Sequence, residues 1–163
     1  MVQPSVTVLI TVKNNVSRFI FHSIDFQRYI LRKIPELLSY ISNARLEEKR
    51  AFLKAFFDDE GNAFYDKKYS HHRIRGYQKD KKILIIVKNL LKEFNIECKI
   101  ERNELVISKK EDIKLFASQI SFSPLLFINP HRKNSVWKKK ISKQEILTII
   151  IHSSSQTKKT SRC

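Results

Sequence analysis

Apolar positions along the chain alternate between two spacings, and the switches mark out its elements. Residues 6–12 are β-branched and bounded by Pro4 and Asn14-Asn15, which predicts a strand. Phe26, Ile30, Ile34, Leu37 and Ile41 recur at helical spacing. Pro35 interrupts that run and predicts two short helices or one kinked helix. Ser42 or Asn43 offers an N-cap for the next helix, and Glu47 and Glu48 fall in its first turns, where negative charge is favourable. That helix reaches to about Asp59 on an apolar face of Leu46, Leu53, Phe56 and Phe57, with Phe52 at the edge. After Gly61 the spacing changes. Residues 62–68 and 71–79 read as a polar hairpin turning near Tyr69-Ser70. Ile83, Ile86, Val87, Leu90, Leu91 and Phe94 return to helical spacing from Asp80 onward. A second hairpin, residues 96–101 and 104–108, turns at Arg102-Asn103. Ile113, Phe116 and Ile120 mark a further helix, residues 121–140 are irregular and basic with Pro124 and Pro130, and residues 142–151 close the pattern as a last helix.

Charge adds a partner class. Lys and Arg number 32 against 16 acids, a formal net charge of +16 spread along the chain, which favours a polyanion. A ribosome-associated or RNA-binding protein shares that property, and an anionic membrane surface is a weaker match. The two glycines, Gly61 and Gly76, make neither a P-loop nor a dinucleotide-binding turn. Cys98 and Cys163 make neither a disulfide framework nor a zinc site, which fits a reducing interior, cytoplasmic beside the nucleoid or within an organelle, and not secretion. No apolar run approaches bilayer length, so no membrane partner is expected. His71 and His72, as strand neighbours, point to opposite faces and do not favour a shared metal. Trp137, beside Lys138, Lys139 and Lys140, reads as packing more than base stacking.

The most informative stretch is Leu53-Lys-Ala-Phe-Phe-Asp-Asp-Glu-Gly61. Asp58, Asp59 and Glu60 crowd a helix C-terminus, where the partial negative charge disfavours acids by about 0.3–1 kcal/mol each. Something positive, such as a metal ion, would compensate. A solvated acidic end with a glycine stop is the plainer alternative. The stretch resembles the LAGLIDADG motif of homing endonucleases. Leu53, Asp58 and Gly61 match, Ala55, Phe56, Phe57 and Glu60 keep the residue character, and Lys54 and Asp59 depart from it. From residue 44 the order helix, hairpin, helix, hairpin, helix is also that family's αββαββα order. The resemblance covers roughly residues 44–151, as one endonuclease core. It implies an α/β (α+β) fold with an antiparallel DNA-binding sheet. Residues 1–43 lie outside it as a strand-plus-helix extension packing on the core, resembling the end of an upstream half-domain or a support layer. Residues 152–163 are expected to be a disordered basic tail.

The resemblance implies Glu60 as the metal-binding catalytic acid, with the Asp59 main-chain carbonyl as a further ligand and Asp58 as the more structural acid. It implies Mg²⁺, with Mn²⁺ workable and Ca²⁺ as a non-cleaving substitute. Gln78 then suits ordering of the attacking water, Lys82 suits phosphate charge, and Lys133, within Pro130-His131-Arg132-Lys133, is the choice for a further basic catalytic residue. On the first hairpin, Phe64, Asp66 and Lys68 share a face, as do His71, Arg73, Arg75 and Tyr77, with His72, Ile74, Gly76 and Gln78 opposite. On the second, Cys98, Ile100, Leu105 and Ile107 face inward, and Glu97, Lys99, Glu101, Glu104, Val106 and Ser108 outward. A solvated sheet face gives the same alternation. A β-ribbon in the major groove would use Phe64, Asp66, Lys68, His71, Arg73, Arg75, Tyr77, Lys99, Glu101, Arg102 and Asn103 for DNA binding, the arginines on guanine.

One motif supplies one acid, and cutting both strands needs two. A homodimer with the motif helices at its axis, through Ala51, Ala55, Asp58 and Asp59, supplies both, although two Asp59 side chains would repel there. The expected function is intron-encoded, metal-dependent double-strand cleavage of a long pseudo-palindromic DNA site. The rival is a non-cleaving RNA maturase or DNA-binding regulator on the same scaffold.

Overall fold

The computed structural model describes residues 7–13, 16–69, 71–131 and 136–156, and the chain divides into two units, Met1–Tyr40 and Ile41–Cys163. The first unit holds two strands where the sequence pattern predicts one. β1 (Thr7–Lys13) pairs antiparallel with β2 (Val16–His22) over seven residues, from Thr7 opposite His22 to Lys13 opposite Val16. Helix α1 (Ile24–Asn43) follows, starting where Ser23 Oγ accepts from the Phe26 amide at 3.2 Å. It continues as one helix through Pro35. The units divide before Ile41 because that side chain, 3% exposed, joins the core of the second unit.

In the second unit, α2 (Leu46–Glu60) begins at Arg45, not at Ser42 or Asn43, which still belong to α1. Glu48 Oε2 accepts from the Arg45 amide at 2.9 Å, so an acid three residues in serves the cap where a small polar residue is missing. Leu46 is exposed, contrary to its predicted inward place. Lys49 is buried instead, and its ammonium meets both carboxylate oxygens of Glu93 at 2.7 and 2.8 Å. The pair bolts α2 to α3 (Lys81–Glu93) and gives the buried charge its partner.

The sheet is four-stranded: β3 (Gly61–Asp66), β4 (His71–Tyr77), β6 (Glu104–Ile107) and β5 (Lys99–Glu101), in that spatial order and wholly antiparallel. Each hairpin's second strand thus lies at the centre. Register puts Asn62 opposite Arg75, Phe64 opposite Arg73 and Asp66 opposite His71. These pairs share the outward face, while Ala63, Ile74, Gly76, Leu105 and Ile107 are buried on the other. The predicted faces therefore hold, with one exception. Val106 points outward yet is buried, because β6 is a central strand and Arg75 and Lys99 flank it in register.

Behind the sheet, α3 buries Leu84, Val87, Leu90 and Leu91, with Phe94 just past its end. Asp80 caps its start, accepting from the Lys82 amide at 2.8 Å. Asn95, at φ 58°, lets the Ile96 amide reach back to the Leu91 carbonyl at its end. α4 (Lys110–Gln119) adds Ile113 and Phe116, and α5 (Lys143–Gln156) adds Ile146, Leu147 and Ile150. α5 runs to Gln156, past the predicted end at residue 151, with Ser153 Oγ bonded back to the Ile150 carbonyl. The remainder of the predicted tail, residues 157–163, lies outside the described residues. Cys98 is buried, and burial pushes its thiol up to about 12, so it is a packing residue without thiolate chemistry at neutral pH.

Candidate nucleic-acid interface and acidic cleft

α2 ends against the sheet. The Gly61 amide donates to the Phe57 carbonyl, and the chain enters β3 in an extended conformation, φ −90° and ψ 156°. Beneath the junction Phe56, Phe57, Phe116 and Phe122 stack edge to face, with successive ring centroids 5.3, 4.8 and 5.4 Å apart. Both glycines are explained by space. A Cβ on Gly61 would stand 2.3 Å from the Phe57 carbonyl oxygen, and one on Gly76 2.6 Å from a ring carbon of Phe56.

The three acids at this junction have different surroundings. Asp58 is half-buried, and its Oδ1 accepts from the Ser123 amide at 2.8 Å, which pins the segment after α4 to the motif helix. One oxygen of its carboxylate is thus used within the chain. Asp59 and Glu60 are exposed and line a cleft of about 640 Å³. Asn62, Phe64, Arg75, Tyr77 and Glu104 of the sheet form one wall of it, and residues from 127–129, 136–137 and Lys143 also line it. Trp137 both packs on the core and lines this cleft.

Lys143 is the residue of this cleft that sequence reasoning missed. Its ammonium donates to the Asp58 carbonyl at 2.6 Å and reaches the Phe57 carbonyl at 3.4 Å. The compensating charge expected at this helix end is therefore present as a side chain of the protein. Ser142 and Glu145 position it: the Glu145 amide bonds Ser142 Oγ at 3.1 Å, while Glu145 Oε2 accepts from the Ser142 amide and hydroxyl at 2.7 Å each. This capping box starts α5 with Lys143 as its first residue. A cation at a helix N-terminus and acids at a helix C-terminus each oppose their own helix dipole. Here the two unfavourable ends meet and satisfy each other. Burial pulls the Lys143 ammonium below the usual lysine range, and Asp58, Asp59 and Glu60 act against that shift. The signal for Lys143 was the Ser142-Lys-Gln-Glu145 capping pattern, but nothing local ties it to acids so far upstream.

We expect Lys143→Met to lower stability by roughly 1–2 kcal/mol, combining a charge-assisted hydrogen bond and a helix-end cation at a half-exposed site. Urea unfolding of the two proteins measures it; an unchanged midpoint and slope would show that the contact contributes nothing.

Other predicted residues fall elsewhere. Gln78 and Lys82 do not line the cleft. They belong to the β4–α3 turn, where Gln78 Oε1 accepts from the Asp80 amide at 3.3 Å and the Lys82 amide serves the Asp80 cap. Lys133 lies outside the described residues. Asp66 Oδ1 closes the first hairpin by accepting from the Lys68 and Tyr69 amides at 2.9 and 3.4 Å, so a turn role accounts for the acid. Lys68 extends over the Tyr69 ring. Arg102, at φ 56°, and Asn103 form the second hairpin's turn, and Lys99 and Glu101 are exposed beside it.

The outward face has its own order. Arg73 and Arg75 both lie over the Phe64 ring, each 5.6 Å from its centroid. Arg75 also meets Glu104 at 3.5 Å, while its Nε is buried without a hydrogen-bond partner. The stacked ring restricts both guanidiniums, and the acid restricts that of Arg75, before any ligand arrives. On α2, Ala51, Ala55 and Asp59 lie exposed at four-residue intervals, so the predicted dimer stripe is accessible apart from Asp58.

Residues 47–121 match the family model of the LAGLIDADG-like domain. This segment resembles a LAGLIDADG-like domain. Among solved structures, the homing endonuclease I-DmoI in complex with DNA and manganese is similar, with a TM-score of 0.51 at 22% identity over 75% of this chain and 67% of that one. A variant of I-DmoI with its target DNA and manganese gives 0.50 at 19% identity, over 71% of this chain and 62% of that one. This chain thus spans about two thirds of the length of I-DmoI in these structures. The likeness shows the LAGLIDADG fold: α2, the two hairpins, α3 and α4 stand in the expected αββαββα order. No curated protein matches the sequence.

Proposed function

We propose that this chain is a homing-type endonuclease that cuts both strands of a long, near-palindromic DNA site as a homodimer, using Mg²⁺. The observation that carries this reading is Glu60, an exposed acid in a cleft that runs onto the arginine-bearing face of the sheet. I-DmoI binds DNA in the similar structures, and a chain of net charge +16 suits the same class of partner.

The residues present suit a divalent cation. Mg²⁺ needs few carboxylates and keeps several waters and phosphate oxygens. Glu60 and the Asp59 carbonyl would hold the ion, since Lys143 takes the carbonyls of Phe57 and Asp58. When bound, the cation supplies charge stabilisation on the attacking and leaving oxygens of an in-line displacement. The protein's part is positional. Lys143 and Asp58 fix the end of α2, and the Phe64 ring lies against Arg73 and Arg75, which would meet the bases. Lys143 is a basic residue beside the acids, in addition to Lys133, which lies outside the described residues.

Cleavage of a randomised duplex library with Mg²⁺, followed by sequencing of the ends, tests the proposal. Staggered cuts at one long near-symmetric site are expected. A preparation that binds duplex DNA or structured RNA without cutting would return the maturase or regulator reading. Within the recovered site, Arg75→Ala should relax preference at one symmetric pair of positions by about 1–3 kcal/mol per contact. An unchanged site profile would remove Arg75 from base readout.

A further inference from the structure

Glu104 is an acid on the face of the sheet that carries Arg73 and Arg75. β4 and β6 pair with Arg75 opposite Val106 and Tyr77 opposite Glu104, so Arg75 and Glu104 are diagonal neighbours on one face. An acid on a surface that binds a polyanion repels phosphate and weakens binding. It is useful there only if it accepts from a donor. Glu104 stands beside Arg75, whose Nη1 lies 3.5 Å from its Oε2, and the two side chains remain 33 and 38% exposed. Both are therefore held together and still within reach of a ligand.

The Arg75 guanidinium has a defined edge to offer. Its Nε is buried without a hydrogen-bond partner, which leaves the two terminal nitrogens to meet a ligand. One of these adjoins the Glu104 carboxylate. Arg73 lies over the same Phe64 ring but has no hydrogen bond or ion pair with another described residue. Arg73 thus presents donors alone, whereas Arg75 and Glu104 side by side present donors and then an acceptor. That order has one complement among the base pairs. The major-groove edge of a G·C pair offers two acceptors, guanine N7 and O6, and then a donor, the cytosine amino group. An A·T pair offers acceptor, donor, acceptor and a methyl. Guanine O6 and the cytosine amino nitrogen are hydrogen-bonded neighbours about 3 Å apart, and the 3.5 Å between Nη1 and Oε2 suits that spacing.

We propose that Arg75 and Glu104 together read one G·C pair, the guanidinium donating to guanine and the carboxylate accepting from the amino group of its cytosine. The proposal rests on the DNA binding proposed above, and adds to it a residue, Glu104, and the identity of a base pair. The acid contributes what a further arginine cannot. A carbonyl oxygen or a methyl turned toward the carboxylate leaves it without a donor, so the wrong pairs are penalised as well as the right one favoured. In a homodimer the G·C pair occurs twice, once in each half of the site.

Selection of bound duplexes from a randomised library by the full chain, with Ca²⁺ in place of Mg²⁺, locates the pair. Arg75→Ala and Glu104→Ala should each relax the same G·C position by about fivefold or more. A chemical probe then separates base reading by Glu104 from mere support of Arg75. N4-methylcytosine still pairs with guanine but carries a methyl in place of the amino hydrogen that faces the groove. Placed at that position, it should weaken binding by the unaltered chain by about fivefold or more and leave the affinity of Glu104→Ala unchanged. An equal loss in both proteins overturns the proposal. So does a selected site in which the two variants relax different positions, or relax a position that is not G·C. A chain that selects and binds a site but does not cut it with Mg²⁺ loses the nuclease reading and leaves this one standing, whereas a chain that selects no sequence overturns both.

Discussion

Glu60→Gln is expected to slow DNA cleavage by about 10³-fold or more while leaving DNA affinity nearly unchanged. The amide keeps the shape of the side chain and loses the charge that would hold a divalent cation, and such a cation contributes several kcal/mol of transition-state stabilisation. Folding should not suffer. Glu60 is exposed, and no hydrogen bond or ion pair joins its side chain to another described residue. Substitutions at such positions usually change stability by no more than about 0.5 kcal/mol. Single-turnover cleavage and equilibrium binding on the same duplex separate the two effects. Cleavage at the wild-type rate would remove Glu60 from the chemistry, and a matching loss of binding would make it a binding residue.

Gly61→Ala should be the most damaging small substitution in the motif. The backbone there is ordinary extended chain, so conformation does not require glycine. Space does. The new methyl carbon would stand 2.3 Å from the Phe57 carbonyl oxygen and within 3 Å of two further backbone atoms, none of which belongs to a flexible side chain. The junction between α2 and β3 must open to admit it. Overpacking of this kind costs about 1–3 kcal/mol. Opening the junction also moves Glu60, its immediate neighbour, and loosens the carbonyls that Lys143 grips. A fall in both unfolding temperature and cleavage rate is therefore expected; wild-type values for both would mean that the chain accommodates the methyl by a shift elsewhere.

What could be read from the sequence was what local pattern determines. Alternation in residues 71–77 placed Arg73 and Arg75 on one face and Ile74 and Gly76 on the other, because strand period and burial coincide there. The Val106 exception shows the limit: its face was legible, but its burial depends on the strands that flank β6. The start of α2 escaped because Arg45 is a poor N-cap by residue type, and Glu48 completes the cap from inside the helix. Lys49 drew no reading from the sequence because its partner, Glu93, lies on another helix. β2 was missed although residues 16–22 suit a strand. Gln78 and Lys82 were placed by resemblance, whereas the Asp80 turn that they build is a local device and was readable as one.

The Lys143 contact bears on how much of the polypeptide is needed. The segment recognisable by family likeness stops at residue 121. Lys143 lies beyond it, as do Ile141, Ile146, Leu147 and Ile150, which are all buried in the same core. A protein trimmed to the recognisable segment would keep every residue of the motif and lose both the cation that balances its acids and a wall of the hydrophobic interior. The minimal folded piece therefore extends at least to residue 150, and recognisability is a poor guide to where this domain can be cut.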